Sequence, residues 1–139
     1  MNKTSKLKIG NKISEINRIN IHIAQLNKEW KIPPKTVFDI TLTLEEIVSN
    51  IIKYGTIAKD HLIILTFLKH NDVMVILIRD DGLPYNPLEI PEDAAEGSGD
   101  ASIPDNVGIN LAKALTESIN YRRVNKINET LIQKKIKSY

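Results

Sequence analysis

From Ile13 onward, apolar residues return by threes and fours at Ile13, Ile16, Ile19, Ile23, Leu26 and Trp30, and the run stops before the prolines at 33 and 34. That spacing predicts a first helix with one buried stripe. A second helix is predicted from Pro34 to Gly55. Pro34 suits a first helical turn, where its missing N–H has no intrahelical partner, and Gly55 suits the end. On a wheel of about 100° per residue, Val37, Ile40, Ile47, Val48 and Ile51 fall within about 60° of Leu44. Glu46, Asn50 and Lys53 fall on the far side, about 180 to 240° round. Leu42 lies about 40° from Glu46 on that flank, with Phe38 close by, so an apolar element is expected to cover part of it.

The period then changes. "HLIILTFLKH" and "VMVILIRD" are β-branched apolar runs separated by "ND", and they read as a hairpin with at least one covered face. Before the first helix, "SKLKIGNK" alternates as a short edge strand would. After the hairpin, "DGLPYNPLEIPEDAAEGSGDASIPDN" has no period of either kind and reads as a long loop, the kind that forms lids over sites. "VGINLAKALTESI" returns to helical spacing, and "NYRRV" and "ETLIQKKIKSY" read as two further strands joined by "NKIN". The predicted order is strand, helix, helix, strand, strand, loop, helix, strand, strand. This is an α+β two-layer sandwich, a mixed but mostly antiparallel sheet with helices on one face.

At 139 residues, 42% hydrophobic and 26% charged, the chain is expected to form one domain over residues 1–139. No run of 18 apolar residues and no charged-then-apolar leader is found, so the expectation is a cytoplasmic protein with no membrane partner. With no cysteine, disulfides and thiolate metal sites are excluded. His22, His61 and His70 are not spaced as ligands on one element and are expected at the surface. The net charge of +2 hides a segregation: residues 80–105 hold eight acids and no Lys or Arg, and residues 106–139 hold seven bases against two acids. The basic tail lacks interleaved aromatics beyond Tyr121, so it reads as a solvated strand face and no direct nucleic-acid partner is expected.

Three short signals stand in order: Glu46-x-x-x-Asn50 with Lys53 on a helix, Asp80-x-Gly82 at the end of an apolar strand, and Gly108-Ile109 opening a helix after the loop. Taken singly, they read as a solvated helix face, a turn and a loop end.

Together they resemble the Bergerat-fold ATP-binding superfamily of gyrase, heat-shock chaperone and histidine kinase ATP domains. Within it, the chain is most similar to the small anti-sigma factor serine/threonine kinases. "LEEIVSNIIKYG" resembles their Asn-box, "IRDDGLPYNP" their Asp-x-Gly box with its Pro-aromatic-x-Pro, and "VGINLAKALTESINYRR" their second Gly box running into a strand. The likeness covers residues 12 to 137. It implies ATP and Mg²⁺ as cofactors, with an ATP lid at about 88–107. Asn50 would hold the metal through its side-chain oxygen. Glu46 would be the catalytic base toward a substrate hydroxyl. Asp80 would accept from the adenine amine, and Gly82 would let the base approach the backbone. Gly108 and Ile109 would offer helix N-terminal N–H groups to phosphates. Lys53 would meet a phosphate, or is a plain exposed lysine. Thr130 resembles the threonine near the adenine-reading Asp, or is a plain strand threonine.

The implied partners are a sigma factor and a small anti-sigma factor antagonist protein carrying the acceptor serine. A homodimer is also compatible with the resemblance. The chain departs from the pattern at Asp105 and Asn106, where the family has a glycine pair, and no basic residue stands in the lid. Those departures bear on phosphotransfer more than on binding. The rival expectations are a non-catalytic ATP-binding interaction module and a histidine-kinase-like ATP domain.

Overall fold

The computed structural model describes residues 2–55, 61–89 and 107–136. Strand β1 (Asn2–Gly10) leads through a 3-10 turn (Ile13–Glu15) into helices α1 (Ile16–Trp30) and α2 (Pro34–Tyr54). Strands β2 (Leu62–His70) and β3 (Val73–Asp80) follow, then helix α3 (Val107–Leu115) and strands β4 (Ser118–Val124) and β5 (Ile127–Lys135). The strands form one sheet in the order β1-β2-β3-β5-β4, and every pairing among the described residues is antiparallel. The α+β two-layer reading holds, with no parallel pair to make the described sheet mixed.

Local chemistry sets the boundaries. Lys31 takes a left-handed φ of 54° and ends α1, and Pro34 sits in the first turn of α2. Asn71, at φ 53°, turns the β2–β3 hairpin. Asn125 and Lys126, at φ 52° and 67°, make a two-residue link of the mirror-image type that matches strand twist. The expected four-residue "NKIN" link is therefore shorter, and β5 begins at Ile127. The third helix also stops earlier than Ile119. Glu117 N–H bonds to Gln133 O and Ile119 pairs with Ile132, so the ladder to β5 claims these residues. β1 likewise begins before Ser5, because its whole length pairs with β2 from Asn2↔His70 to Gly10↔Leu62.

The core lies between sheet and helices. Ile63, Leu65 and Phe67 of β2, Met74, Ile76 and Ile78 of β3 and Ile132 of β5 pack against the buried stripes of α1 and α2. Each such side chain contributes about 1.5–3 kcal/mol by leaving water. α2 is buried on a second side as well. Thr36, Asp39, Thr43, Glu46 and Asn50 recur by threes and fours, and all but Glu46 are buried. α3 covers this polar stripe through Ile109 and Ala112, which answers what lies over the flank of Leu42. Phe38 stays exposed, beneath the Lys35 ammonium.

The histidines are not all at the surface. His22 is half-buried against Phe67 and hydrogen-bonds Ser5 Oγ, and burial lowers its pKa. The basic tail is only partly a solvated face, since Lys134 is buried, bonding Asp39 Oδ2 at 3.0 Å and Leu115 O at 2.5 Å. Among the described residues no helix is long and apolar enough to cross a membrane.

Candidate functional site

α2 carries the first two functional side chains, one turn apart. Asn50 is buried, and its Nδ2 donates to Pro87 O at 3.3 Å and Glu46 Oε1 at 3.4 Å. Both neighbours are acceptors, which fixes the amide orientation and turns Oδ1 away from them. Glu46 is half-buried, with its carboxylate against Gly108. A Cβ at Gly108 would lie 2.3 Å from Glu46 Oε2, so only glycine admits this approach. A carboxylate at the first turn of a helix is favoured by the helix dipole. The Lys53 side chain is exposed near the end of α2.

Asp80 ends β3 on the helix-facing side of the sheet. Its Oδ1 accepts from Gly82 N–H at 2.9 Å and from Asn128 Nδ2 at 3.1 Å. Burial pushes the Asp80 carboxyl up, against the pull of these two donors. Asn128 is the residue directly opposite in the ladder, whereas Thr130 pairs with Ile78, one step further into the sheet. Thr130 is buried on the same face. Thr130 therefore lies two residues along β5 from Asn128, which touches Asp80. Which of the two stands level with Asp80 is set by the β3–β5 register, a pairing between distant segments that no local sequence signal gives. Asn128 also donates to Leu83 O at 2.8 Å and accepts from Tyr121 Oη at 2.6 Å and Arg123 at 3.0 Å.

The segment from Asp80 to Pro87 joins the two halves of the site. Leu83 N–H donates to Gly55 O at 3.0 Å, Tyr85 packs on Tyr54 with ring centroids 6.0 Å apart, and Pro87 O receives Asn50. Gly82 is required here because a Cβ would stand 2.5 Å from Gly55 O. Its freedom from a side chain thus serves the closure of the loop onto α2. Burial raises the Tyr85 phenol, with Tyr54, Glu46 and Glu89 acting the same way.

Gly108 and Ile109 lie in the first turn of α3. The Ile109 side chain is in the core, so only its backbone can face a ligand. The far end of α3 is held where Lys134 bonds Leu115 O, with Asp39 below. Beside Glu46, a cavity of about 380 Å³ opens between α1, α2 and α3, lined by Ile16, Leu42, Ser49 and Leu111. Asp105, Asn106 and nearly all of the expected lid at about 88–107 lie outside the described residues. No cluster of three or more His, Asp or Glu suited to a metal occurs among the described residues. Any ion held here would rest on few protein oxygens.

The sequence profile described as histidine kinase-like ATPase domain matches residues 12–134. No curated protein matches the chain. Among solved structures, the RsbU and RsbW domains of Rv1364c from Mycobacterium tuberculosis superpose with TM-score 0.70 at 11% identity, covering 99% of this chain and 33% of that one. The histidine kinase domain of the Erythrobacter litoralis EL346 blue-light activated histidine kinase superposes with TM-score 0.53 at 17% identity, covering 89% and 60%. This chain thus spans a minority of the first protein and under two thirds of the second.

Proposed function

We propose that this chain, which belongs to the histidine kinase-like ATPase domain family, binds Mg·ATP and transfers its γ-phosphoryl group to a serine or threonine of a small antagonist protein, acting otherwise as an anti-sigma factor. The observation that carries the reading is the Asp80–Pro87 loop. It ties an adenine-type acceptor, Asp80, to Asn50 through the Asn50–Pro87 hydrogen bond.

Asn50 Oδ1 is a hard oxygen donor with its amide nitrogen already committed, which suits Mg²⁺, an ion that takes few protein ligands and keeps waters and phosphate oxygens. Glu46 stands one turn away, beside the cavity between the helices. An acceptor hydroxyl entering there would give its proton to Glu46 as its oxygen bonds to phosphorus. The bond to the bridging oxygen breaks, and ADP leaves with that electron pair. Asp80 accepts from the adenine amine, and the first turn of α3, with Gly108 and Ile109, faces the phosphates. Phosphate entry requires Glu46 and Gly108 to separate. Lys53 is free to reach a phosphate, and Thr130 has a supporting place behind Asp80.

The test is a pair of assays. MgATP at about a hundred times its dissociation constant should raise unfolding free energy by roughly 2.7 kcal/mol, and MgGTP should not. Glu46→Ala should keep that stabilisation and lose about 10² to 10⁴ in transfer to a cognate antagonist. Stabilisation without any transfer by the wild-type protein would leave a non-catalytic ATP-binding interaction module.

A further inference from the structure

The sheet has a second face, turned away from the helices. At the end where β2 and β5 begin and β3 and β4 finish, that face holds a hollow of about 800 Å³. Such a volume falls in the range of small-molecule sites, roughly 300–1,000 Å³. Its floor and rim are apolar: Ile64, Ile127, Leu62 and Val124, the last two 57% and 43% exposed. Apolar side chains on an open strand end normally yield to polar ones.

The polar wall is built around one buried acid. Glu129 is 8% exposed and lies between two arginines, accepting from Arg79 Nε at 2.6 Å and Arg122 Nε at 2.7 Å. These hydrogen bonds, that of Arg79 first, hold the Glu129 carboxyl below its ordinary range. One anion thus holds two cations. Each guanidinium spends its Nε on Glu129, and its terminal nitrogens bond no other described residue. Both side chains remain half or more exposed, so two forks of donors are fixed in direction and still open. Planar guanidinium forks match carboxylates. His61 closes the hollow on the β2 side, its Nδ1 donating to Asp81 Oδ1 at 3.0 Å and its Nε2 buried without a partner among the described residues.

We propose that this hollow binds a small amphipathic carboxylate, its acid group on Arg79 and Arg122 and its hydrocarbon body on Ile64, Leu62, Val124 and Ile127. The site stands across the sheet from Asn50 and Glu46 and rests on Arg79, Arg122 and the apolar floor, with Asp80 and Asp81 at its edge on the β3 strand end.

Decanoate, kept below its micellar concentration, is the probe, titrated into the full chain and followed by amide NMR shifts. Saturable shifts confined to residues of the hollow are expected. Decanol and acetate, which each lack one half of the ligand, should bind weaker by about tenfold or more. Arg122→Glu should weaken decanoate by a similar factor, about tenfold or more. Val124→Glu, which leaves both ion pairs intact, should do the same with an unchanged melting temperature. Equal binding by either folded variant, equal binding of decanol, or shifts spread over the helical layer would mean non-specific adsorption and overturn the site. Sedimentation showing two copies closed over this face with the probe excluded would overturn it too.

Discussion

Gly108 and Glu46 touch so closely that a single methyl group at 108 would overlap the Glu46 carboxylate, at 2.3 Å from Oε2. The contact couples the start of α3 to the middle of α2. Gly108 is not in the left-handed region, so alanine fits the backbone and even gains about 0.5–1 kcal/mol of helix propensity. Gly108→Ala should therefore leave stability within about 1 kcal/mol of wild type while weakening MgATP binding, because the added methyl fills the gap that phosphate entry needs and crowds the Glu46 carboxylate toward the phosphates. The double variant with Glu46→Ala should recover nucleotide binding. Thermal-shift titration of the three proteins decides this, and a double variant as weak as Gly108→Ala would refute the coupling.

Asp80→Asn keeps the shape of the side chain and removes the buried charge that burial disfavours. The native fold should be unchanged or slightly more stable at pH 7. Adenine nucleotide binding should fall by about tenfold or more, because Gly82 and Asn128 hold the Oδ1 position as acceptor and an amide would then turn its NH2 donor toward the exocyclic amine. Calorimetric titration with MgATP measures the loss. Undiminished affinity would remove Asp80 from the adenine site.

Asn128→Ala should cost more stability than its size implies. It strips a partner from Asp80 Oδ1, Leu83 O, Tyr121 Oη and Arg123 at once. Buried groups left unpaired cost about 1–3 kcal/mol each, and relaxation and water return part of it, so a loss of about 2–3 kcal/mol is expected in urea unfolding. Thr130→Ala, by contrast, should leave Asp80 hydrogen bonding intact.

Acid should unpick the clasp between α2 and β5. For Asp39, burial acts to raise the carboxyl, but hydrogen bonds from Lys35 and Lys134 outweigh it and its pKa ends below the ordinary value. A lowered carboxylate contributes stability that is complete above the unfolded value of about 3.9 and is lost as pH falls through the lower folded value. Asp39→Asn leaves Lys134 buried without its counter-charge, a loss of about 3 kcal/mol at pH 6. The gap between variant and wild type should narrow as pH drops below about 4. A constant gap from pH 6 to strongly acid solution would rule out the ion pair as its source.

Much of this was legible along the chain. The stripes of α1 and α2, the β2–β3 hairpin and the order of elements follow from periodicity, because a helix or strand that must bury one face advertises it every 3.6 or 2 residues. The row of Glu46 and Asn50 was legible as well, but its surroundings were not. A polar stripe of Thr36, Asp39, Thr43, Glu46 and Asn50 looks the same in sequence whether water or another helix covers it. Packing against α3, β5 and the Asp80–Pro87 loop made it interior.

The register of β5 was hidden for a related reason. Asn128 and Thr130 lie on one face of one strand, and nothing local tells which stands opposite Asp80. That alignment belongs to the β3–β5 ladder, in which Asp80 pairs with Asn128 and Ile78 with Thr130. Sequence alone determined which segments are helix or strand and which residue types are on hand for nucleotide chemistry, since both depend on neighbours a few positions away. Tertiary structure alone decided that Gly82 yields to the Gly55 carbonyl, that Gly108 yields to Glu46, and that Glu129 gathers Arg79 and Arg122. Each is a contact between segments distant along the chain, and such contacts exist only once the sheet and the helices have closed on one another.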